Sequence, residues 1–362
     1  MKRAVICVKN PWHVIPKYQD THSIMVINPG SPKTRLDYLI SNSDFDVFIT
    51  EEGVFQGQGQ DHGDEKLFLY TSGTTGDSKF YSFSQSQVDA VCGNISKSYE
   101  LSPNDRYFGI MPLWHAHGLL MYLTTLQVGC ETQFGTIADI KEMEKFQPTW
   151  LSAIPDILML SSKLDLQCLR FVRSASASLT EKNFLTLKEK FKVPILEAFG
   201  MTEAISHCFT NPLHGPQKIG TVGLPDGIRA RVDENNHLWI EGPSVFRSGW
   251  FDTGDLASQD EDGYFRILGR SVDRINVRGY KIDPLSIENQ LYNRFPSLSE
   301  CAVFGKERLK CVVCGDVSVD EINEFLNSLG DACRPRFVRQ VETVPKNLNG
   351  KISRSFLDTV FD

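Results

Sequence analysis

Three absences bound this 362-residue chain before any motif is read. It has no apolar run approaching the roughly 20 residues that a membrane-spanning helix needs. Its start, Met1-Lys2-Arg3-Ala4-Val5-Ile6-Cys7-Val8-Lys9, holds too short an apolar stretch for a signal peptide. It has no excess of basic residues: 38 Lys and Arg against 45 Asp and Glu give a net charge of -7, the reverse of the basic footprint a phosphate-tracking nucleic-acid binder carries. It also lacks a cysteine framework. The nine cysteines are odd in number and scattered, and Cys311-Val312-Val313-Cys314 is the only CxxC. With no second pair and no metal-spaced histidine, those two thiols read as parts of a buried strand, and no metal is assigned to cysteine. The expectation is a cytoplasmic protein of a reducing compartment, without a membrane or nucleic-acid partner.

Hydrophobic residues make up 41% of the chain, enough for a sizeable core divided between two folding units. Internal repeats and low-complexity tracts are missing, and strand-like and helix-like segments alternate, which is the pattern of an α/β protein. Ser31-Pro32 opens a helix with Leu36, Leu39 and Ile40 on one face, and Asp46-Val47-Phe48-Ile49-Thr50 follows as a strand. Thr180 caps a helix carrying Phe184, Leu187 and Phe191, after which Val193-Pro194-Ile195-Leu196 runs as a strand into Glu197-Ala198-Phe199-Gly200. Asp283-Pro284 starts a helix with Ile287, Leu291 and Phe295, and a last one carries Ile322, Phe325, Leu326 and Leu329 and stops at Gly330. The stretch Gln56 to Gly63 reads as a mobile connection.

The densest chemistry lies just beyond it. A buried strand, Leu67-Phe68-Leu69-Tyr70, feeds Thr71-Ser72-Gly73-Thr74-Thr75-Gly76-Asp77-Ser78-Lys79. Glycines let such a turn aim backbone N–H groups inward as an anion nest, and hydroxyls and an ammonium supply further donors, so the run is suited to phosphate. A Ser/Thr/Gly surface loop is the plain alternative. It is not a Walker loop, because Ser78 stands where the glycine before the lysine is required.

Further polar clusters fall where strands should end, which is where open α/β sheets bind ligands. In order they are Pro112-Leu113-Trp114-His115-Ala116-His117-Gly118, Phe199-Gly200-Met201-Thr202-Glu203, Gly220-Thr221-Val222-Gly223-Leu224-Pro225 and Trp250-Phe251-Asp252-Thr253-Gly254-Asp255. Gly269-Arg270-Ser271-Val272-Asp273 and Pro345-Lys346-Asn347-Leu348-Asn349-Gly350-Lys351-Ile352-Ser353-Arg354 complete the series. The series resembles the adenylate-forming (AMP-binding) superfamily, in its acyl- and aryl-CoA ligase branch, from about Ser23 to the C-terminus. Arg170 to Leu179, and Thr202-Glu203-Ala204 through Asn211-Pro212-Leu213, are most similar to oxalate and related short-acid CoA ligases.

The resemblance implies a large N-terminal adenylate-forming domain of layered mixed sheets and helices, residues 1–270 and shortened at its N-terminus, and a small mobile α/β lid, residues 271–362. It implies ATP-dependent activation of a small carboxylic acid as acyl-AMP, then transfer to CoA or the phosphopantetheine of an acyl carrier protein. In its terms Thr71, Ser72, Gly73, Thr74, Thr75, Gly76 and Lys79 hold the β- and γ-phosphates, and Thr202 donates to the α-phosphate. Glu203 holds Mg²⁺, a hard cation suited to carboxylate and phosphate oxygens. Ser176 and Ala177 lie along adenine in a segment where the family has glycine, Phe199 and Gly200 form its stacking wall, and Asp255 with Arg270 meets the ribose. Lys351 is the catalytic cation, His115 gates the acid pocket, and the segment around Gly279 admits the thiol once the lid has swung. Taken alone, Phe199 and His115 read equally as core residues, and Thr202 and Glu203 as capping or solvated ones.

No aspartate pairs with an amino group near Trp114 to His117, so an amino-acid substrate is disfavoured. A histidine that meets a second carboxylate in oxalate ligases falls at Ser206, with His207 one residue on. Ser78 and Phe80 replace proline and glycine, and Val272 replaces a charged hinge residue. Arg278, Lys281, Arg334 and Arg336 suit CoA phosphates, an acidic carrier surface or plain solvation. Two alternatives stay open: an adenylating enzyme that passes the acyl group to an amine, and a nucleotide-binding module of this fold that has lost turnover. A P-loop NTPase is a further, more distant reading.

Overall fold

A computed structural model describes residues 1–71, 78–346, 352 and 354–361. Contacts divide the chain into two compact units: the first holds residues 1–179, 186–229 and 241–250, the second 180–185, 230–240 and 251–362.

The first unit contains two sheets. One is built from β1 (Lys2–Cys7), β2 (His22–Val26), β3 (Val47–Thr50), β4 (Gly53–Gln56), β5 (Glu65–Tyr70) and β6 (Phe80–Ser84), in the order β4-β3-β1-β2-β5-β6. Its centre is parallel, and β4 and β6 are antiparallel edges. Side chains alternate across a strand, so Ala4 and Ile6 enter one core while Val5 and Cys7 enter another, beneath the helix Lys33–Ser41 through Leu39. That double burial explains the nearly unbroken apolar run of β1. The stretch after β4 is strapped down: the N–H groups of Gly57 and Gly59 donate to the carbonyls of Asp46 (2.7 Å) and Phe45 (2.9 Å). It is a fixed connection and not the loose one expected.

The second sheet follows as β7 (Arg106–Gly109), β8 (Glu131–Phe134), β9 (Trp150–Ala153), β10 (Phe171–Ser174), β11 (Ile195–Phe199), β12 (Phe209–Thr210) and β13 (Leu224–Pro225), ordered β13-β12-β11-β10-β9-β7-β8. β7 to β11 are parallel, so their carboxyl ends share one edge. Between the sheets lie two helices. Gln85–Ser98 starts with a reciprocal cap between Ser84 and Gln87 and buries Val88, Val91, Cys92 and Ile95 at helical spacing. Ala116–Val128 is buried along most of its length.

The second unit begins with β14 (Arg229–Val232), β15 (His237–Glu241), β16 (Phe251–Gln259) and β17 (Phe265–Arg270), which pair in that order. The turn Ser271–Asp273 leads to a hairpin of β18 (Ile275–Val277) and β19 (Tyr280–Ile282). A three-stranded sheet of β20 (Leu298–Phe304), β21 (Lys310–Gly315) and β22 (Val338–Gln340) packs helices Pro284–Arg294 and Val319–Ser328 on one face and Leu357, from Arg354–Val360, on the other. Cys311 is buried on β21 and Cys314 half-buried, as expected of strand thiols. Burial pushes the Cys311 thiol well above its ordinary range, so it is held as an apolar group.

Candidate active site

In the first unit the site is assembled from strand ends. β5 and β6 form an antiparallel hairpin whose last pair is Tyr70 and Phe80. At its mouth the Thr71 N–H donates to the Lys79 carbonyl (2.9 Å) and the Lys79 N–H to Thr71 Oγ1 (3.3 Å). Ser72, Gly73, Thr74, Thr75 and Gly76, which fill that hairpin end in sequence, lie outside the described residues, while Lys79 is exposed beside it. The two departures from the family pattern are absorbed locally. Ser78 is buried and accepts from Arg35 Nη2 (3.3 Å), and Phe80 stacks on Phe68 at 5.4 Å.

The neighbour of Phe80 makes the decisive connection. Tyr81, pointing to the opposite face of β6, donates its hydroxyl to Glu203 Oε1 (2.9 Å), 122 residues away in sequence. It also meets Phe246 edge-on at 5.0 Å, and the Phe246 N–H donates to the Glu203 carbonyl (2.9 Å). Thr202 and Glu203 sit on the short turn Thr202–Ala204 that follows β11. Phe199 ends that strand, half-buried, 6.1 Å from Phe209. Gly200 is required there by close approach: a Cβ would stand 2.1 Å from the Ser206 carbonyl carbon and oxygen. Ile205 and Ser206 both take positive φ (50° and 63°) as the chain turns back to β12.

His115 lies at the carboxyl end of β7, half-buried, as the N-cap of Ala116–Val128. Its neighbour His117 points inward and is buried. There it meets Arg173 from β10, a guanidinium with 0% exposure. Arg173 donates through Nε to the Tyr99 hydroxyl (3.0 Å), through Nη1 to His117 Nε2 (3.0 Å) and Ser152 Oγ (3.1 Å), and through Nη2 to His207 Nδ1 (3.3 Å). His207 in turn donates from Nε2 to Asp226 Oδ2 (2.7 Å). Both ring nitrogens of His207 are thus engaged inside the fold, and it does not stand open to a substrate carboxylate. Burial, then the Arg173 charge, holds His117 well below the ordinary imidazole range. Burial also lowers His207 against the opposing pull of Asp226.

At the end of β10, Ser176 adopts φ +70° in the segment where glycine was expected, and Ser176 and Ala177 are both exposed. Ser176 takes this left-handed position, uncommon for a residue with a side chain, with its Oγ in hydrogen-bond contact with His117 Nδ1 (3.0 Å).

In the second unit, Asp255 on β16 and Arg270 at the end of β17 are register partners joined by Nε to Oδ1 at 2.7 Å. The carboxylate is 4% exposed and the guanidinium 50%, so the pair presents charge at a surface. Arg278 and Gly279, φ 52° and 92°, make the two-residue turn of the β18–β19 hairpin, a conformation that favours glycine. The turn lines an open cleft of about 630 Å³ together with Asn276, Lys306, Glu307 and Arg308. Val272, beyond Arg270, is 83% exposed. Lys351 and the residues just before it lie outside the described residues, while Lys346, Ile352 and Arg354 lie within them. Lys346 and Ile352 form an antiparallel bridge on either side of it, and Arg354 grips Glu288 through Nη2 at 2.8 Å to each oxygen.

Within the first unit, then, Thr71, Lys79, Thr202, Glu203, Phe199, Gly200, His115, Ser176 and Ala177 all lie at strand ends. Within the second, Asp255 and Arg270 are in contact. Sequence reasoning missed Tyr81, His117, Arg173 and Asp226. The available signal was Arg173 itself, a charge inside the strand-like run Phe171-Val172-Arg173-Ser174, which needs partners if the strand is buried.

Comparison with known proteins agrees with this geometry. Residues 58–250, just over half of the chain, match the AMP-binding enzyme family. The oxalate–CoA ligase of Arabidopsis thaliana is 32% identical over 342 residues, covering 80% of this chain and 66% of that protein. The sulfoacetate–CoA ligase of Cupriavidus necator is 30% identical over 336 residues, covering 80% and 65%. The chain therefore spans just under two thirds of the length of the curated relatives it matches. In fold it is similar to ATP-bound MatB from Rhodopseudomonas palustris, with a TM-score of 0.88 at 22% identity over 99% of this chain and 88% of that one. The O-succinylbenzoate coenzyme A synthetase of Bacillus subtilis, in complex with ATP and a magnesium ion, gives a TM-score of 0.83 at 19% identity over 98% of this chain and 88% of its own. The layered α/β architecture is the one these two structures share, and this chain belongs to the AMP-binding enzyme family.

Proposed function

We propose that this chain activates a small carboxylic acid with ATP and passes the acyl group to a thiol. A carboxylate resists direct substitution because oxide would have to leave. Attack of its oxygen on the α-phosphorus, with the electron pair of the broken P–O bond leaving on pyrophosphate, converts that oxide into AMP. A thiolate then takes the acyl carbon as AMP departs. Little covalent help is needed, so the protein's part is positioning and charge neutralisation.

The observation that carries this reading is the bond from Tyr81 to Glu203, which joins the hairpin bearing the Thr/Ser/Gly/Lys loop to the Thr-Glu turn. It ties the strand beside the proposed phosphate loop to the carboxylate proposed for magnesium, which supports the reading. Magnesium would neutralise phosphate charge, and Glu203 is the group to hold it. Tyr81 occupies Oε1, and among the described residues Oε2 accepts no hydrogen bond, which leaves one oxygen for a hard cation that keeps most of its water. Phe199 offers a face for adenine, Asp255 an acceptor for ribose hydroxyls with Arg270 beside it, and Thr202 a donor to the α-phosphate. Lys351 supplies the cation at the reacting centre when the 271–362 segment closes as a lid, and His115 borders the acid pocket. The Gly279 turn and its basic cleft suit the phosphates of CoA as the thiol donor, with a carrier-protein phosphopantetheine as the second acceptor to assay. A cytoplasmic location fits nine cysteines that form no disulfide among the described residues and the lack, among those residues, of a helix long and apolar enough to cross a membrane.

The relatives' substrates, oxalate and sulfoacetate, put short acids with a second anionic group first. The test is pyrophosphate release from ATP over a panel of short mono-, di-, hydroxy- and aryl acids. Acid-dependent release that falls at least about 100-fold in Lys351→Ala is expected. Tight ATP binding without release for any acid would replace this reading with the module that lacks turnover. Release that needs an amine in place of a thiol for turnover would reassign the acceptor.

A further inference from the structure

Arg173 is buried, no carboxylate among the described residues hydrogen-bonds to it, and its partners are neutral groups in a definite order. A guanidinium has five N–H donors and no lone pair to offer. Every group facing it must therefore accept. His207 presents Nδ1 to Nη2, so its proton sits on Nε2 and goes to Asp226, whose other oxygen accepts from the Ser98 hydroxyl (2.9 Å). His117 presents Nε2 to Nη1, so its proton sits on Nδ1 and goes to Ser176 Oγ (3.0 Å). The hydroxyls obey the same rule. Tyr99 accepts from Nε and donates to Thr210 Oγ1 (2.8 Å), and Ser152 accepts from Nη1 and lies 2.7 Å from His117 Nε2, to which it donates.

The consequence reaches the surface at one point. Ser176 Oγ accepts from His117, so its own proton must point elsewhere, and Ser176 is exposed at the carboxyl end of β10 with no other hydrogen-bond partner among the described residues. The bond to His117 holds Oγ in place, and the O–H is left to turn toward an outside acceptor.

We infer that Arg173 is a positioning residue that sets the His117 tautomer and thereby makes Ser176 a hydrogen-bond donor to an acceptor atom of the bound acyl-adenylate. The inference rests on the ligase reading for the identity of the ligand, and the tautomer part stands without it. The acceptor is either a nitrogen of the adenine ring or an oxygen of the acyl group. The two differ in whether ATP alone feels the loss.

Nitrogen-15 spectra of histidine-labelled protein at pH 7.5, with no substrate present, test the first step. His117 is expected as a neutral ring protonated on Nδ1, and His207 as a neutral ring protonated on Nε2. A His117 ring protonated on Nε2, or on both nitrogens, would overturn the proposal. Arg173→Gln, if folded, should shift His117 toward a mixture of tautomers, whereas a purely structural arginine would leave the ratio unchanged. Ser176→Ala should keep the wild-type tautomer yet raise either the dissociation constant for ATP or the KM for the acid about tenfold, with kcat within about threefold, as loss of one ligand hydrogen bond does. A rise in the ATP constant measured without acid assigns the acceptor to adenine, and a rise only in the acid's KM assigns it to the acyl group. A Ser176→Ala enzyme unchanged in both would sink the donor role. A chain that shows the tautomers but releases no pyrophosphate with any acid would fail the ligase reading alone.

Discussion

At the scale of single residues, the buried imidazoles tie stability to pH with a definite sign. His117 is held down by burial first, then by Arg173 and by the neighbouring His115 and His207. His207 is held down by burial and Arg173, against Asp226. Both are neutral when folded at pH values where an exposed histidine, with its pKa near 6.5, takes up a proton. The unfolded chain therefore binds more protons below about pH 6.5, and stability falls as pH drops through that value toward the folded pKa. From pH 7 to 5.5 His117 alone should remove about 1 kcal/mol. Urea midpoints over that range should decline in the wild type and decline less steeply in His117→Asn, and parallel slopes would count against the assignment.

Tyr81→Phe isolates the bond that assembles the site. It removes one hydrogen bond to a carboxylate and keeps the ring against Phe246. Stability should fall by about 1 to 2 kcal/mol, and if Glu203 holds magnesium as proposed, the magnesium concentration giving half-maximal acid-dependent exchange between ATP and pyrophosphate should rise as Glu203 loses its anchor. A magnesium titration of both proteins checks the second effect, and equal midpoints would separate Tyr81 from the metal site.

Elements were the legible scale in this sequence. Apolar spacing gave the helices at Lys33–Ser41, Glu181–Phe191, Pro284–Arg294 and Val319–Ser328, and the residues ahead of the first three supplied the expected starts, while the Ser318 cap of the last was not anticipated. Thr180 Oγ1 accepts from Asn183 N (3.2 Å), Ser318 Oγ accepts from Glu321 N (3.3 Å), and Pro284 opens its helix at a position where the lost N–H has no cost. These signals are local, within three or four residues. The motif turns were legible for the same reason. The Arg173 assembly was not, because its partners lie 21, 34, 56 and 74 residues away in sequence and meet only through the order of the parallel strands. The strap at Gly57 and Gly59 escaped as well, since glycine-rich composition reads the same whether a loop is loose or pressed against Phe45.

The β18–β19 hairpin gives a prediction belonging to an element. Among the described residues, its chain neighbours apart, no heavy atom lies within 4 Å of where a Gly279 Cβ would stand, so Gly279→Ala chiefly carries the strain of φ +92°. About 1 kcal/mol of turn stability should be lost. If the turn serves the thiol step, thioester formation should slow while pyrophosphate release in the first step stays near wild type. Equal slowing of both steps would place the turn in the adenylation reaction instead.

For the molecule as a whole, the question is what would hold Lys351, the lysine proposed as catalytic, in space. Lys351 is three residues from Arg354, so their Cα atoms lie within about 11 Å. Arg354 is bonded to Glu288 through both carboxylate oxygens, to the Val303 carbonyl (3.0 Å) and to Asp273 of the turn after Arg270 (3.3 Å). Glu288 Oε1 also accepts from the Val303 N–H (2.8 Å), and burial lifts its pKa even against the arginine beside it. The start of the last helix, a core strand and the turn after Arg270 are thereby tied together through Arg354 and Glu288. Arg354→Met should strand the Glu288 carboxyl and cost about 3 kcal/mol or more. Adding Glu288→Leu removes the stranded group and should restore most of that stability, because an apolar pair of similar volume replaces a buried ion pair at little cost. Activity should not return with it. If Arg354 serves to aim Lys351, the double variant is stable yet slow in pyrophosphate release, with ATP affinity unchanged. Full recovery of release along with stability would reduce Arg354 to a packing residue and leave the lysine loop to find its own place.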